Sequence, residues 1–258
     1  MRRGLALVAA VLVLSACAGS ADRGDGESAE HGTLTVSAAA SLTDAFSRIG
    51  KTFEGRHDGV TVTFNFGPSD GLAGQIDEGA PVDVFASASS RWMDVVQTAG
   101  PGVVGRTDFA RNRLAVIVPR HNPAGIEGID DLAEDGVKLV LAAEGVPVGD
   151  YAREALTNAG IADAALANVV SNEEDVKGVV TKVLSGDADA GIVYVTDVTA
   201  NIADHVKLIG IPDDVNVIAT YPIAVVSGTK EAGLAQDFVD LVLGDGERTL
   251  AQYGFLPA

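Results

Sequence analysis

The sequence has little cysteine, histidine, tryptophan or positive charge. Its 258 residues include one Cys, four His and one Trp, which leaves little material for a disulfide framework or a structural zinc site. Lys and Arg number 18 against 36 Asp and Glu, a formal charge of −18, and this excludes the basic surface that a nucleic-acid backbone requires. No apolar run reaches the length of a stable transmembrane span. With 47% hydrophobic residues, the chain is expected to be an acidic globular protein with a substantial core.

The start of the chain has the composition of an export signal followed by a tether. Arg2 and Arg3 precede the apolar run LALVAAVLVL, which is typical of a signal peptide, here residues 1–16. The segment LSAC, ending at Cys17, resembles a bacterial lipobox, in which the cysteine is lipidated after cleavage. Residues 17–31 are polar, acidic and rich in small residues, which predicts a flexible tether. Removal of residues 1–16 takes away Arg2 and Arg3 and no acidic residue, so the expected mature charge is −20. We expect an exported protein anchored to the outer face of the cell membrane; an ordinary signal peptide with a chance cysteine is the alternative.

From Thr33 onward, short apolar strands alternate with helical patterns, which is typical of an α/β fold with a mostly parallel sheet. Strands are predicted at residues 34–38, 60–66, 82–86, 114–118, 137–142, 191–194, 206–209 and 223–226. Helices are predicted at residues 42–53, 71–77, 91–99, 151–158, 173–184 and 231–243. The segment Ser41–Asp44 has the pattern of a helix cap, with a side-chain oxygen facing free backbone N–H groups.

Two long apolar stretches suggest a division into two lobes. They lie at residues 113–119 and 221–226, and each is long enough to cross from one lobe to another, with the segment between them forming an inserted domain. We therefore assign residues 32–116 together with 222–258 to a first lobe, and residues 117–221 to a second lobe.

Four junctions share one layout, in which small or hydroxyl residues separate an apolar strand or loop from a helix start. They are AAASLT (38–43), FGPSDG (66–71), GVPVGDY (145–151) and SNEEDV (171–176). In an open α/β sheet such junctions lie at the carboxyl ends of the strands, where ligands bind. Helix N-termini present free N–H groups and a partial positive charge, which suit an anion. Ordinary helix capping is the alternative for any single junction.

These and other segments carry a resemblance to a known family. They are AAASLTDAF (38–46), GQIDEGAPVDVFASAS (74–89) followed by RWM, VPVGDYAREAL (146–156), EEDVKG (173–178), AGIVYVTD (190–197), YPIAVV (221–226) and YGF (253–255). In this order they resemble the periplasmic molybdate-binding proteins of ABC importers over essentially the whole mature chain. The resemblance implies a two-lobed, hinged, type II solute-binding fold in which each lobe is a mostly parallel sheet flanked by helices. It also implies capture of molybdate, and of tungstate, without a cofactor or catalysis, by a monomer that serves an ABC permease.

The resemblance further implies five ligand-binding positions in the cleft. Ser41 and Ser69 match serines that donate from the hydroxyl and the backbone, and Tyr194 matches a phenol donor. Val148 and Val176 match positions that use the backbone N–H. The same residues would hold the oxyanion, and no metal-cation site is expected. Molybdate, tungstate and sulfate are fully ionised and require donors only, whereas phosphate at neutral pH carries a proton and needs an acceptor.

The chain departs from the family pattern at several positions near the proposed cleft. Pro68 removes a backbone donor where a small or hydroxyl residue is common, and AA at residues 142–143 replaces Asp-Pro. Asp70 and Asp150 stand close to the expected oxyanion, which a carboxylate would repel; at a helix start, however, Asp is normally a cap turned onto the backbone. The block Arg91–Met93 is interpreted as packing.

Two alternatives to molybdate capture remain open. The first is the same fold bound to another oxyanion, such as sulfate. The second is a serine hydrolase, because GPSDG at residues 67–71 satisfies the nucleophile-elbow pattern with Ser69 as nucleophile. Such an enzyme would need Asp187 or Asp189 and His205 as partners. A ferric-iron binder is disfavoured, since the four tyrosines are scattered along the chain.

Overall fold

The computed structural model describes residues 32–258, so the predicted signal peptide, the lipidation site Cys17 and the tether lie outside the described residues. The strands are β1 (Gly32–Ala39), β2 (Val60–Gly67), β3 (Val84–Ala86), β4 (Val103–Pro119), β5 (Leu139–Ala142), β6 (Val169–Glu173), β7 (Ala190–Tyr194), β8 (Val206–Gly210) and β9 (Ile218–Val226). The helices are α1 (Thr43–Glu54), α2 (Ser69–Asp77), α3 (Ser90–Thr98), α4 (Pro147–Asn158), α5 (Ala162–Ala167), α6 (Val176–Ser185), α7 (Ala232–Leu243) and α8 (Gly246–Gln252). Short 3₁₀ helices occupy Ala40–Leu42, Asp130–Ala133 and Val195–Asp197.

Two sheets share the long strand β4. The first sheet has the order β2-β1-β3-β9-β4 and the second has β6-β5-β7-β4-β8. Strands β1, β2 and β3 are mutually parallel, as are β5, β6 and β7, whereas β4 and β9 run antiparallel to their neighbours. The pairing of β4 changes between Arg113, which faces β9, and Leu114, which faces β7. The predicted α/β architecture in two parts is therefore confirmed, while the exact lobe boundaries stay a prediction.

Helices cover both faces of the first sheet. On one face α1 and α7 pack together, and the Phe238 ring of α7 meets the Phe46 and Phe53 rings of α1 edge-on. On the other face α2 and α3 bury Leu72 and Met93 in a separate apolar cluster. Because both faces are covered, the central strands read as continuous apolar runs rather than as alternating ones.

Several predicted helix boundaries are wrong at their N-terminal ends. The helix predicted from residue 173 begins at Val176, because residues 169–173 form the edge strand β6. Helix α4 begins at Pro147 rather than residue 151, since proline fits the first helical turn, where its missing N–H costs nothing. Helices α5 and α8 and strand β6 were not predicted. Within residues 32–258, no helix combines the length and the apolarity needed to cross a membrane.

Candidate functional site

A small cavity lies between the two sheets, at the carboxyl ends of their parallel strands. The first lobe lines it with the segments after β1 and β2 and with Ala88, and the second lobe lines it with the segments after β5 and β6 and with the end of β7. Its volume of about 20 Å³ leaves room for a single small ligand. The structure brings all five predicted ligand-binding residues to its wall: Ser41, Ser69, Val148, Val176 and Tyr194.

Three helices begin at this cavity. Ser69 is the first residue of α2, Val148 the second of α4 and Val176 the first of α6. The first N–H groups of a helix have no intrahelical partner, and the aligned peptide dipoles place a partial positive charge there. The cavity is therefore surrounded by backbone donors and positive dipole ends contributed by both lobes, which favours an anion.

A glycine allows the start of α4 to lie close to the end of β5. A Cβ atom at Gly149 would lie 2.2 Å from the carbonyl oxygen of Ala143 and 2.5 Å from that of Ala142. Backbone atoms cannot move away as a flexible side chain can, so only glycine permits this approach. The close packing fixes the position of the Val148 N–H relative to the cavity.

Three neutral hydroxyl groups complete the donor set. The Ser69 hydroxyl accepts from the Ala88 N–H at 3.0 Å, and the Ser41 hydroxyl lies 2.9 Å from the Tyr221 hydroxyl. The Tyr194 hydroxyl is buried and has no hydrogen-bond partner within residues 32–258. Burial raises the pKa of Tyr194 well above its usual value, so this hydroxyl keeps its proton at neutral pH and is free to donate.

The predicted helix cap at Ser41 is wrong. Ser41 lies in the 3₁₀ helix Ala40–Leu42, and α1 begins after Leu42 without a side-chain cap. The serine side chain is turned instead toward the Tyr221 hydroxyl on β9. This contact joins residues 180 positions apart in the chain, and the local sequence pattern has no signal for it.

The two carboxylates that raised the question of repulsion do not line the cavity. Asp150 accepts from the Gly145 N–H at 2.7 Å and lies 3.3 Å from the Arg91 guanidinium. Among the lining residues Asp175 is the single charged one, a feature that the sequence reasoning missed. Its carboxylate caps α6 by accepting from the Gly178 N–H at 2.9 Å, so this negative charge faces a helix N-terminus.

The buried carboxylate of Asp197 holds the backbone at Tyr194. Asp197 is fully buried and accepts from the Tyr194 backbone N–H at 3.0 Å, while the Lys177 ammonium lies 3.6 Å from its other oxygen. Burial raises the pKa of Asp197 to about 6, against the opposing effect of Lys177. The strand end that carries Tyr194 is thus fixed by a hydrogen bond and a partly buried ion pair.

Side chains outside the cavity connect the two lobes across the cleft. The Trp92 indole N–H donates to the Gly145 carbonyl at 2.7 Å, and Arg91 pairs with Asp150 while its guanidinium lies 4.8 Å from the Trp92 ring. Met93 is buried in the core, as the packing interpretation requires. For Trp92 that interpretation is incomplete, since its indole makes a directed bond to the opposite lobe.

The structure does not bring together the residues that the hydrolase alternative requires. No histidine is among the lining residues, and the Ser69 hydroxyl meets a backbone N–H rather than a base. Asp187 contacts Ser185, and Asp189 accepts from the Lys138 N–H. Ser69 therefore lacks the adjacent base that a nucleophilic serine needs. In the described part of the chain, no group of three or more His, Cys, Asp or Glu is placed to hold a metal ion.

Sequence comparison identifies relatives over nearly the full length. A family described as bacterial extracellular solute-binding protein matches residues 34–256. The chain is 38% identical over 254 residues to a protein of Mycobacterium tuberculosis named molybdate-binding protein ModA, covering 96% of this chain and 95% of that protein. This confirms the resemblance to the molybdate-binding proteins.

Solved structures with the same architecture confirm the predicted fold class. The periplasmic molybdate-binding protein of Azotobacter vinelandii matches with a TM-score of 0.77 at 21% identity, covering 87% of this chain and 99% of that one. The sulfate-binding protein SubI of Mycobacterium tuberculosis matches with a TM-score of 0.76 at 18% identity, covering 88% of each chain. At these identities the likeness concerns the fold alone, and the nearly equal scores show that the fold does not select the anion.

Proposed function

We propose that this chain captures molybdate, and also tungstate, in the cavity between its lobes. It belongs to the family of bacterial extracellular solute-binding proteins. The observation that carries this proposal is the convergence of three helix N-termini and three neutral hydroxyl groups on one small cavity. This donor set suits an oxyanion without a proton. The 38% identity to a protein named for molybdate binding supports molybdate over sulfate.

In the proposed complex the anion accepts hydrogen bonds from groups of both lobes. The hydroxyls of Ser41, Ser69 and Tyr194 and the backbone N–H groups of Val148 and Val176 are the proposed donors. Because each lobe supplies part of the set, full coordination requires the closed cleft. Ligand binding therefore favours closure, and the contacts of Trp92 and Arg91 across the cleft add to it.

The protein then acts by binding and conformational change, without catalysis or a cofactor. An ABC permease that recognises the closed form would couple capture to transport. We infer that the protein is a monomer whose moving units are residues 32–116 with 222–258 and residues 117–221. We also infer that a lipid on Cys17 anchors it to the outer face of the membrane; the pattern LSAC after an apolar run supports this anchor.

Isothermal titration calorimetry tests the proposal. The mature protein is titrated with molybdate, tungstate, sulfate and hydrogen phosphate at matched ionic strength. We expect tight binding of molybdate and tungstate, and little heat from sulfate or hydrogen phosphate. Binding of sulfate alone would assign the site to a different oxyanion, and no heat from any of the four would contradict an oxyanion site.

A further inference from the structure

The serine hydroxyls of the cavity gain their role as donors from the neighbouring groups that already donate to them. A serine hydroxyl has one hydrogen and accepts through its lone pairs, so the neighbours that already occupy those lone pairs decide where its hydrogen points. At Ser69 the neighbour is the Ala88 backbone N–H, 3.0 Å from Oγ, and a backbone N–H is only ever a donor. The Ser69 oxygen is therefore the acceptor in that bond, and its hydrogen remains available to the cavity.

At Ser41 the direction is set by a relay of two buried side chains. The side-chain carbonyl oxygen of Asn112 accepts from the Arg113 N–H at 2.9 Å, and this bond fixes the positions of the amide oxygen and nitrogen. Its NH₂ group therefore points the other way, at 2.7 Å from the Thr196 hydroxyl and 3.4 Å from the Tyr221 hydroxyl. An amide NH₂ offers two hydrogens and no lone pair for acceptance, so Tyr221 is the acceptor in its contact with Asn112.

Tyr221 must then place its own hydrogen elsewhere. Its hydroxyl lies 2.9 Å from the Ser41 hydroxyl, whereas the hydroxyl of the neighbouring Tyr194 has no hydrogen-bond partner within residues 32–258. Ser41 is therefore the acceptor in reach for the one hydrogen that Tyr221 has. Burial raises the pKa of Tyr221 far above its usual value, so the phenol stays protonated. Ser41 is left as the acceptor from Tyr221, with its own hydrogen free. Among residues 32–258, no other hydrogen bond to the Ser41 hydroxyl is present.

We propose that Asn112 and Tyr221 are specificity-determining positioning residues that hold Ser41 as an obligatory donor and so select against protonated oxyanions. This inference rests on the proposed function of the cavity as an oxyanion site. Sulfate and hydrogen phosphate are both tetrahedral, but hydrogen phosphate has a hydroxyl that must donate. One lone pair of the Ser41 oxygen accepts from Tyr221, and the hydrogen of Ser41 is directed into the cavity. Ser41 therefore faces the anion with a hydrogen rather than a lone pair, so the hydroxyl of hydrogen phosphate finds no acceptor there, and an unpaired buried donor costs binding free energy.

The substitution Tyr221→Phe tests the relay with little change in shape. It removes the hydroxyl and keeps the ring that packs against Phe109, Tyr194 and Phe255. The Ser41 hydroxyl is then free to rotate and accept. We expect affinity for hydrogen phosphate relative to sulfate to rise at least about threefold, and affinity for molybdate to fall. Both weak ligands are measured as competitors against molybdate, so that even weak binding gives a constant.

Two further variants separate the relay from a general structural effect. Tyr253→Phe removes a phenol that does not line the cavity and should leave the ratio of hydrogen phosphate to sulfate affinity unchanged. In a Ser41→Ala background, Tyr221→Phe should no longer change that ratio, because the relay acts through the serine hydroxyl. The inference is overturned if Tyr221→Phe weakens sulfate and hydrogen phosphate by the same factor, or if its effect on the ratio persists without Ser41. If the wild-type protein binds none of these anions, the proposed function itself fails.

Discussion

Replacement of Ser69 by alanine is expected to weaken oxyanion binding and to destabilise the empty protein by separate routes. Ser69 is 1% exposed and is the first residue of α2. A hydrogen bond to a charged group contributes about 1.5–3 kcal/mol, so loss of this donor should weaken molybdate binding roughly 10- to 150-fold. The substitution also leaves the Ala88 N–H without its partner, which costs about 1–3 kcal/mol of folding stability.

Two assays distinguish these effects in the Ser69→Ala variant. Calorimetric titration with molybdate gives the change in affinity, and urea unfolding without any anion gives the change in stability. Ser185→Ala is a matched control, because this serine is exposed at the end of α6 and does not line the cavity. In the control, molybdate affinity should be unchanged and stability should change much less than in Ser69→Ala, because the hydrogen bonds of the Ser185 hydroxyl are exposed to water. Unaltered molybdate affinity in a folded Ser69→Ala protein would refute the placement of the anion at the start of α2.

Three other substitutions give expected outcomes. Trp92→Phe removes the hydrogen bond to the Gly145 carbonyl across the cleft and should weaken molybdate binding about 2- to 10-fold in calorimetry, although Trp92 does not line the cavity. An unchanged affinity would show that this hydrogen bond does not contribute to binding. Since Trp92 is the single tryptophan in the chain, the fluorescence of the wild-type protein should also change on titration with molybdate. Gly149→Ala would place its Cβ 2.2 Å from a backbone carbonyl oxygen, which must displace the start of α4 and weaken molybdate binding about tenfold or more. An affinity equal to that of the wild type would show that the close packing of α4 against the end of β5 does not position the Val148 N–H. Asp197→Asn keeps an acceptor for the Tyr194 N–H and removes an ionisable group whose pKa burial raises from 3.8 to about 6. A folded-state pKa above the unfolded one means that the wild type loses stability relative to the variant as the pH rises from about 4 to about 6, and a stability difference independent of pH in urea unfolding would contradict this.

The sequence predicts those parts of the fold whose signal is local. Most of the predicted strands and helices form, because apolar periodicity and the turn residues between them depend on near neighbours. Strand β6 was missed because VVSNE lies at a sheet edge, pairs only with β5 and is half-exposed, so it lacks the continuous apolar run of a central strand. The charged residues that follow it make the segment look like the start of a helix.

The candidate site divides in the same way between local and distant determinants. The five proposed donors come from short motifs at strand ends, and the structure places all five on one cavity. The bond from Trp92 to Gly145 and the contact of Ser41 with Tyr221 join residues 53 and 180 positions apart. Such pairs depend on how the sheets are arranged, which no local pattern encodes. The hydrogen-bond direction at Ser41 is therefore a property of the folded molecule.

In the proposed complex, neutral donors of both lobes hold one oxyanion. A crystal structure of the mature protein grown with molybdate, with anomalous diffraction data to locate molybdenum, tests this most directly. We expect one molybdenum peak in the cavity, with the oxygens of the anion at hydrogen-bonding distance from the hydroxyls of Ser41, Ser69 and Tyr194 and the N–H groups of Val148 and Val176. A peak elsewhere, or an anion coordinated by Lys or Arg side chains, would contradict it.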